Sequence, residues 1–149
     1  MSESVVERLM KTNPHMEVWW DSSLLVYEPW MRSTTAAAPA GKRDELTAQL
    51  GRLFNVADPA ASVMRGCTTN PPLSLAAVKS NPTFWNARIA EIAAEEPSGD
   101  PKRVAWVIYK DVIRRGAAMI QPLYEASNRR YGWVSGQLDP RLMTEKETM

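Results

Sequence analysis

Apolar positions recur along the chain in two rhythms, and proline and asparagine separate them. Residues 4–11 (SVVERLMK) carry an amphipathic pattern opened by Ser2 or Ser4, which predicts a short helix. Asn13-Pro14 ends it, because proline disfavours helix in the residue before it. Residues 16–21 (MEVWWD) are β-branched and aromatic and end in an acid, which predicts a buried strand. Residues 22–40 hold no sustained period. Pro29 and Pro39 interrupt them and 34–40 (TTAAAPA) is low in complexity, so a loop with one helical turn is expected.

Beyond that stretch the helical rhythm returns. Leu46, Leu50, Leu53 and Phe54 share one face of residues 42–54, with Asp44 and Glu45 in the first turn, as an amphipathic helix requires. Residues 62–68 (SVMRGCT) predict a second strand after the break at Pro59. Residues 71–80 and 83–95 predict two helices, the first with proline in its opening turn, where a missing N–H costs little. Pro97-Ser98-Gly99-Asp100 is a turn. A helix over 101–115 follows, with Val104, Val107, Ile108, Val112 and Ile113 on its inner side. Gly116 is expected to bend or end it, with helix resuming over 117–127 around Pro122. Residues 131–137 (YGWVSGQ) predict a third strand, and 144–149 begin a further element.

The order is strand, long connection, strand, several helices, strand. Long helical connections imply parallel pairing and an α/β class. No internal repeat and no linker divides the chain, so residues 1–149 read as one domain. Three parallel strands leave bare outer edges, which invite association.

Composition narrows the chemistry. The 149 residues hold 18 basic and 17 acidic side chains, a balance that gives no electrostatic case for a nucleic-acid binder or a polybasic membrane anchor. One cysteine, Cys67, allows neither an intrachain disulfide nor a cysteine-rich zinc site, and it reads as a small buried residue. The one histidine, His15, has no nucleophile elbow near it and reads as solvent-facing. No apolar run approaches the roughly 20 residues that span a bilayer, and the charged N-terminal segment is wrong for a secretory signal. A cytoplasmic location and no membrane partner are therefore expected. Trp19, Trp20, Trp85 and Trp106 fall in apolar patterns and read as core; Arg114-Arg115 and Arg129-Arg130 read as solvated helix ends.

Two segments are more specific: residues 66–73 (GCTTNPPL) and residues 131–142 (YGWVSGQLDPRL). Together with Trp19-Trp20-Asp21 they resemble the transaldolase family. There the second barrel strand ends in G-x-T-[TS]-N-P, the third in V-S-x-E-[VL]-D-P-R-L, and the first in an aspartate. The resemblance runs from about Met16 to the end of the chain and keeps the motifs in order. It implies the first three β/α units of a partial TIM (β/α)₈ barrel. It also implies Schiff-base transfer of a dihydroxyacetone unit between sugar phosphates, the carbohydrate chemistry of the pentose phosphate type, with no metal and no dissociable cofactor. Barrel active sites lie at the C-terminal ends of the strands. By position, Asp21 takes the family's proton-handling role, Asn70 a hydrogen bond to a substrate hydroxyl and the carbinolamine, and Gln137 the third catalytic place. Thr68, Thr69 and Ser135 are implied as substrate-binding.

Two departures stand against the family pattern. Gln137 replaces a glutamate that would activate water, and a glutamine can hold a water but cannot take its proton. The family's Schiff-base lysine sits on a fourth strand; here Lys11, Lys42, Lys79, Lys102 and Lys110 fall in predicted helices and Lys146 in the tail. A complete barrel takes about 250 residues, so the chain is expected to be the N-terminal part of one. Plain alternatives stand beside these roles. Asp21 is also a candidate helix N-cap, Asn70 a turn or cap residue, Gln137 a polar strand end, and Asp139 with Arg141 a structural pair. A rival function follows from the bare edges: an inactive barrel piece that binds a complementary fragment or a second copy of itself.

Overall fold

Three strands, β1 (Val18–Asp21), β2 (Met64–Thr69) and β3 (Trp133–Gly136), form one parallel sheet in the order β1-β2-β3. The computed structural model describes residues 3–140; the segment expected to start at 144 and Arg141 lie outside them. Each strand is followed or preceded by helix: α1 (Val5–Thr12), α2 (Tyr27–Ala37), α3 (Arg43–Leu50), α4 (Pro71–Ser80), α5 (Pro82–Glu95) and α6 (Pro101–Ala126). The chain is thus α/β and mostly helical around a small parallel sheet, as the long connections require. Among the described residues no helix is long and apolar enough to cross a membrane.

Caps explain where the helices begin. Ser4 and Glu7 form a reciprocal capping box on α1: the Ser4 N–H donates to Glu7 at 2.7 Å and the Glu7 N–H to Ser4 Oγ at 3.2 Å. Asn70, Asn81 and Asp100 cap α4, α5 and α6, each followed by proline at the first helical position.

Three expectations need correction. Residues 22–40 are a 3₁₀ turn at Leu24–Val26 and then α2, not a loop. Pro29 sits in the first turn of α2, where an N–H has no intrahelical partner, so it is compatible with the helix start. The helix expected over 42–54 closes at Leu50, and 51–54 continue as turns that still turn Phe54 against Tyr27 (ring centroids 5.0 Å). Gly116 does not end its helix: α6 runs unbroken through Gly116 and Pro122. Gly116 is instead buried against Leu24, whose Cβ lies 3.7 Å from where a Gly116 Cβ would be.

Strand ends shift by a residue or two from expectation. Tyr131 falls outside β3 because the chain turns sharply before it, with positive φ at Asn128, Arg129 and Gly132. At Gly132 the close approach leaves no room for a side chain: a Cβ would lie 2.6 Å from the Tyr124 amide nitrogen.

The core divides into two clusters. One joins α4, α5 and α6 through Ala77, Trp85, Ile92, Ile108 and Val112. The other lies between the sheet and α6, where Leu24, Cys67, Ile120 and Leu123 meet Trp20, Phe54 and Val134. Trp20, Cys67 and Val134 are partners in register, so they mark the sheet face that the helices cover. The alternate residues mark the other face: Trp19, Gly66 and Trp133 in one row, Asp21, Thr68 and Ser135 in the next. None of those six is among the buried hydrophobic side chains, and Trp133 is 51% exposed. Trp19 lies across Gly66, where a Cβ would stand 2.8 Å from the indole ring. Of the four tryptophans expected in the core, Trp85 is fully buried, while Trp19, Trp20 and Trp106 are half-buried.

Arg114 and Arg115 reach solvent as expected, but they do not sit at a helix end. They lie inside α6 and share the buried carboxylate of Asp111 with Arg88, at 2.6, 3.3 and 3.1 Å. Burial pushes the Asp111 carboxyl up, but the hydrogen bonds from Arg114, Arg88 and Arg115 together outweigh it and hold it below the usual carboxylate range.

Candidate functional site

The C-terminal ends of the three strands bring polar side chains level with one another. Asp21, Thr68 and Ser135 are consecutive partners across the sheet, so parallel register alone aligns them on its open face. The Thr68 hydroxyl donates to Asp21 Oδ1 at 2.7 Å. That bond fixes one oxygen of an exposed carboxylate and leaves the other turned outside it. The cap reading of Asp21 does not hold. Ser23 opens the following 3₁₀ turn, its Oγ accepting from the Leu25 N–H at 3.3 Å.

Asn70 stands one residue beyond β2. Its side-chain oxygen accepts from the Leu73 N–H at 2.9 Å and caps α4, so the plain reading of this residue is realised. The cap uses the oxygen alone; the amide N–H groups are two donors that capping does not need. Ser135 is exposed in the row of Asp21. Gln137 follows β3 directly, is exposed, and is held by its backbone: its N–H donates to the Tyr109 hydroxyl at 2.6 Å.

Thr69 is set apart from this group. It is 4% exposed, its hydroxyl donates to the Ser22 carbonyl at 3.2 Å, and it lies 3.5 Å from Cys67 Sγ. Alternation along β2 turns it to the helix-covered face, while Thr68 takes the open one. Thr69 therefore locks β2 to the turn after β1. Cys67 does the same, its thiol donating to the Ser22 carbonyl at 2.8 Å. Burial pushes that thiol above its ordinary range, and the contact with Thr69 offsets this only in part.

One residue at this edge was invisible in the motifs. The Tyr109 hydroxyl, buried on α6, donates to the Thr69 carbonyl at 3.0 Å and accepts from Gln137, so it links the ends of β2 and β3. Its signal was indirect: a tyrosine next to the inner stripe of a helix must find partners for its hydroxyl when buried.

Among the described residues no lysine falls on a strand: Lys11, Lys79, Lys102 and Lys110 are helical and Lys42 lies in a 3₁₀ turn. The described residues also hold no cluster of three or more metal-binding side chains. The edge offers one carboxylate, two hydroxyls and two carboxamides, a set suited to hydrogen-bonding a polyol and moving one proton. No family model matches the chain, and no curated protein or solved structure matches it either.

Proposed function

We propose that the strands and helices from β1 to β3 form the first wall of a transaldolase-like (β/α)₈ barrel. In this reading the edge carrying Asp21, Asn70, Ser135 and Gln137 faces the dihydroxyacetone end of a sugar phosphate. One observation carries it. Asp21, Thr68 and Ser135 share a register row at the C-terminal ends of three consecutive parallel strands, on the face opposite α6. The motif order described above supports the same reading.

The chemistry follows from the groups present. When the carbon–carbon bond breaks, the neighbouring hydroxyl loses its proton, and the electron pair passes to the imine formed on a lysine. The Asp21 carboxylate, steadied by Thr68, takes that proton and returns it in the reverse step. The Asn70 amide donates to a substrate hydroxyl while its oxygen remains in the cap. Gln137 holds water without deprotonating it. The lysine itself belongs to a fourth strand in the family, beyond the three described here.

Borohydride trapping of the native protein with a ketose phosphate tests this. A covalent adduct on a lysine is expected, and it is not expected on the helical Lys11, Lys79, Lys102 or Lys110. Asp21→Asn should cut turnover by about a hundredfold or more with unchanged thermal unfolding. An untrapped protein, or full turnover in that variant, rejects the reading. Gln137 in place of the family glutamate favours a second one, an inactive barrel wall that associates through the edges of β1 and β3. A monodisperse monomer in sedimentation counts against it.

A further inference from the structure

The last rung between β2 and β3 sets Thr69 opposite Gly136, and Gln137 lies beyond it. There the chain is held from α6. The Tyr109 hydroxyl accepts from the Gln137 N–H at 2.6 Å and donates to the Thr69 carbonyl at 3.0 Å. The phenol is 5% exposed, and its ring packs edge-to-face on Trp106 with centroids 5.2 Å apart. Gly136 makes room for this approach: a Cβ there would stand 3.3 Å from the Tyr109 hydroxyl and overlap Ile113. The helix, rather than the sheet, fixes where that hydroxyl stands.

The other polar residues of the edge are held by other means. Asp21 is fixed by Thr68, within the ladder. Asn70 is fixed by its cap on α4, and the Thr69 hydroxyl by the Ser22 carbonyl. Removing the phenol oxygen leaves those three bonds in place but strips the Gln137 N–H of its acceptor. A misplacement of about 1 Å at a reacting group can cost about a hundredfold in rate. One atom on α6 thus governs one position of the edge and spares the rest.

We infer that Tyr109 is a positioning residue for the transaldolase-like reaction, setting the place at which Gln137 holds water. The inference rests on the proposed sugar-phosphate chemistry. In that chemistry a C=N bond to the lysine replaces the ketone C=O bond. The amine gives its two protons to the departing oxygen, which leaves as one water, and hydrolysis of the imine takes one water back. Tyr109 is buried on α6, on the covered side of the sheet, and acts through Gln137.

Steady-state turnover of a ketose phosphate tests this in the native protein, Tyr109→Phe, Gln137→Ala and the double variant. Tyr109→Phe should lower kcat about tenfold and leave KM unchanged, because Asp21 and Asn70 keep their bonds. In the Gln137→Ala background the same substitution should change kcat by less than about twofold, since no carboxamide remains to be positioned. A purely structural tyrosine would lower both backgrounds alike. Four results overturn the inference: full kcat in Tyr109→Phe, full kcat in Gln137→Ala, a tenfold loss that persists in the double variant, or a Tyr109→Phe protein that no longer unfolds cooperatively. Borohydride trapping of the wild-type protein separates this from the wider reading. If the wild-type protein is not trapped, the sugar-phosphate reaction itself is rejected and the inference falls with it. If it is trapped, any of those four results rejects the role of Tyr109 alone.

Discussion

The same three strands build both faces of the sheet, from alternate residues, yet the two faces obey different rules. On the covered face Trp20, Cys67 and Val134 meet Leu24, Ile120 and Leu123, and the Cys67 thiol and the Thr69 hydroxyl are both spent on the Ser22 carbonyl. On the open face two tryptophans flank a glycine, and above them stand an acid, a threonine and a serine. The covered face is selected for what it excludes, and the open face for what it can meet. Thr68 and Thr69 are adjacent in sequence and identical in chemistry, and they fall on opposite sides of this division.

Substitutions can test the contrast, from the largest effect to the smallest. Leu123→Ala, at a position with no exposed surface, should cost about 3 kcal/mol in urea unfolding. Trp133→Ala removes far more side chain but should cost only about 1 kcal/mol, because half of it is already in water and its contact with Tyr124 is a single edge-to-face pair. If the two losses are equal, the open face is part of the folding core and the contrast fails.

Asp111→Asn should fall between these two, at about 2 kcal/mol near neutral pH. The loss falls short of a fully buried pair because Arg114 and Arg115 still reach solvent. Its signature is the pH profile. The folded carboxyl lies below its ordinary value, so its contribution is complete above the usual carboxylate range and is lost as pH falls through the folded value. The variant should therefore show a flatter acid limb than the wild-type protein. Thr68→Val should move stability least, by under about 1 kcal/mol, since it releases one exposed carboxylate. A several-fold loss of turnover in the native protein with that small stability change would sharpen the division between the faces.

Much of this was legible in the chain. The sequence of elements, parallel pairing and the inner stripe of α6 followed from periodicity and connection length, because those depend on local spacing. Residues 22–40 and Gly116 were misread for one reason. Proline and glycine were weighed as breakers, whereas Pro29 occupies an opening turn and Gly116 lies buried within a continuous helix, packed against Leu24. At the site, the motifs located the edge but could not divide Thr68 from Thr69, since a one-residue shift in register reverses every side chain. Tyr109 was hidden because its partners are backbone groups 40 and 28 residues away.

That tyrosine has a consequence for the time domain. The Gln137 amide lies past the last ladder residue of β3, where a strand end would ordinarily fray and exchange its proton quickly. Because the phenol accepts that proton while donating to Thr69, the amide is tied through one side chain to both α6 and the end of β2. Deuterium uptake at Gln137 should thus be as slow as within the sheet, and Tyr109→Phe should release it selectively, making this one amide a clock for the breathing of the whole edge.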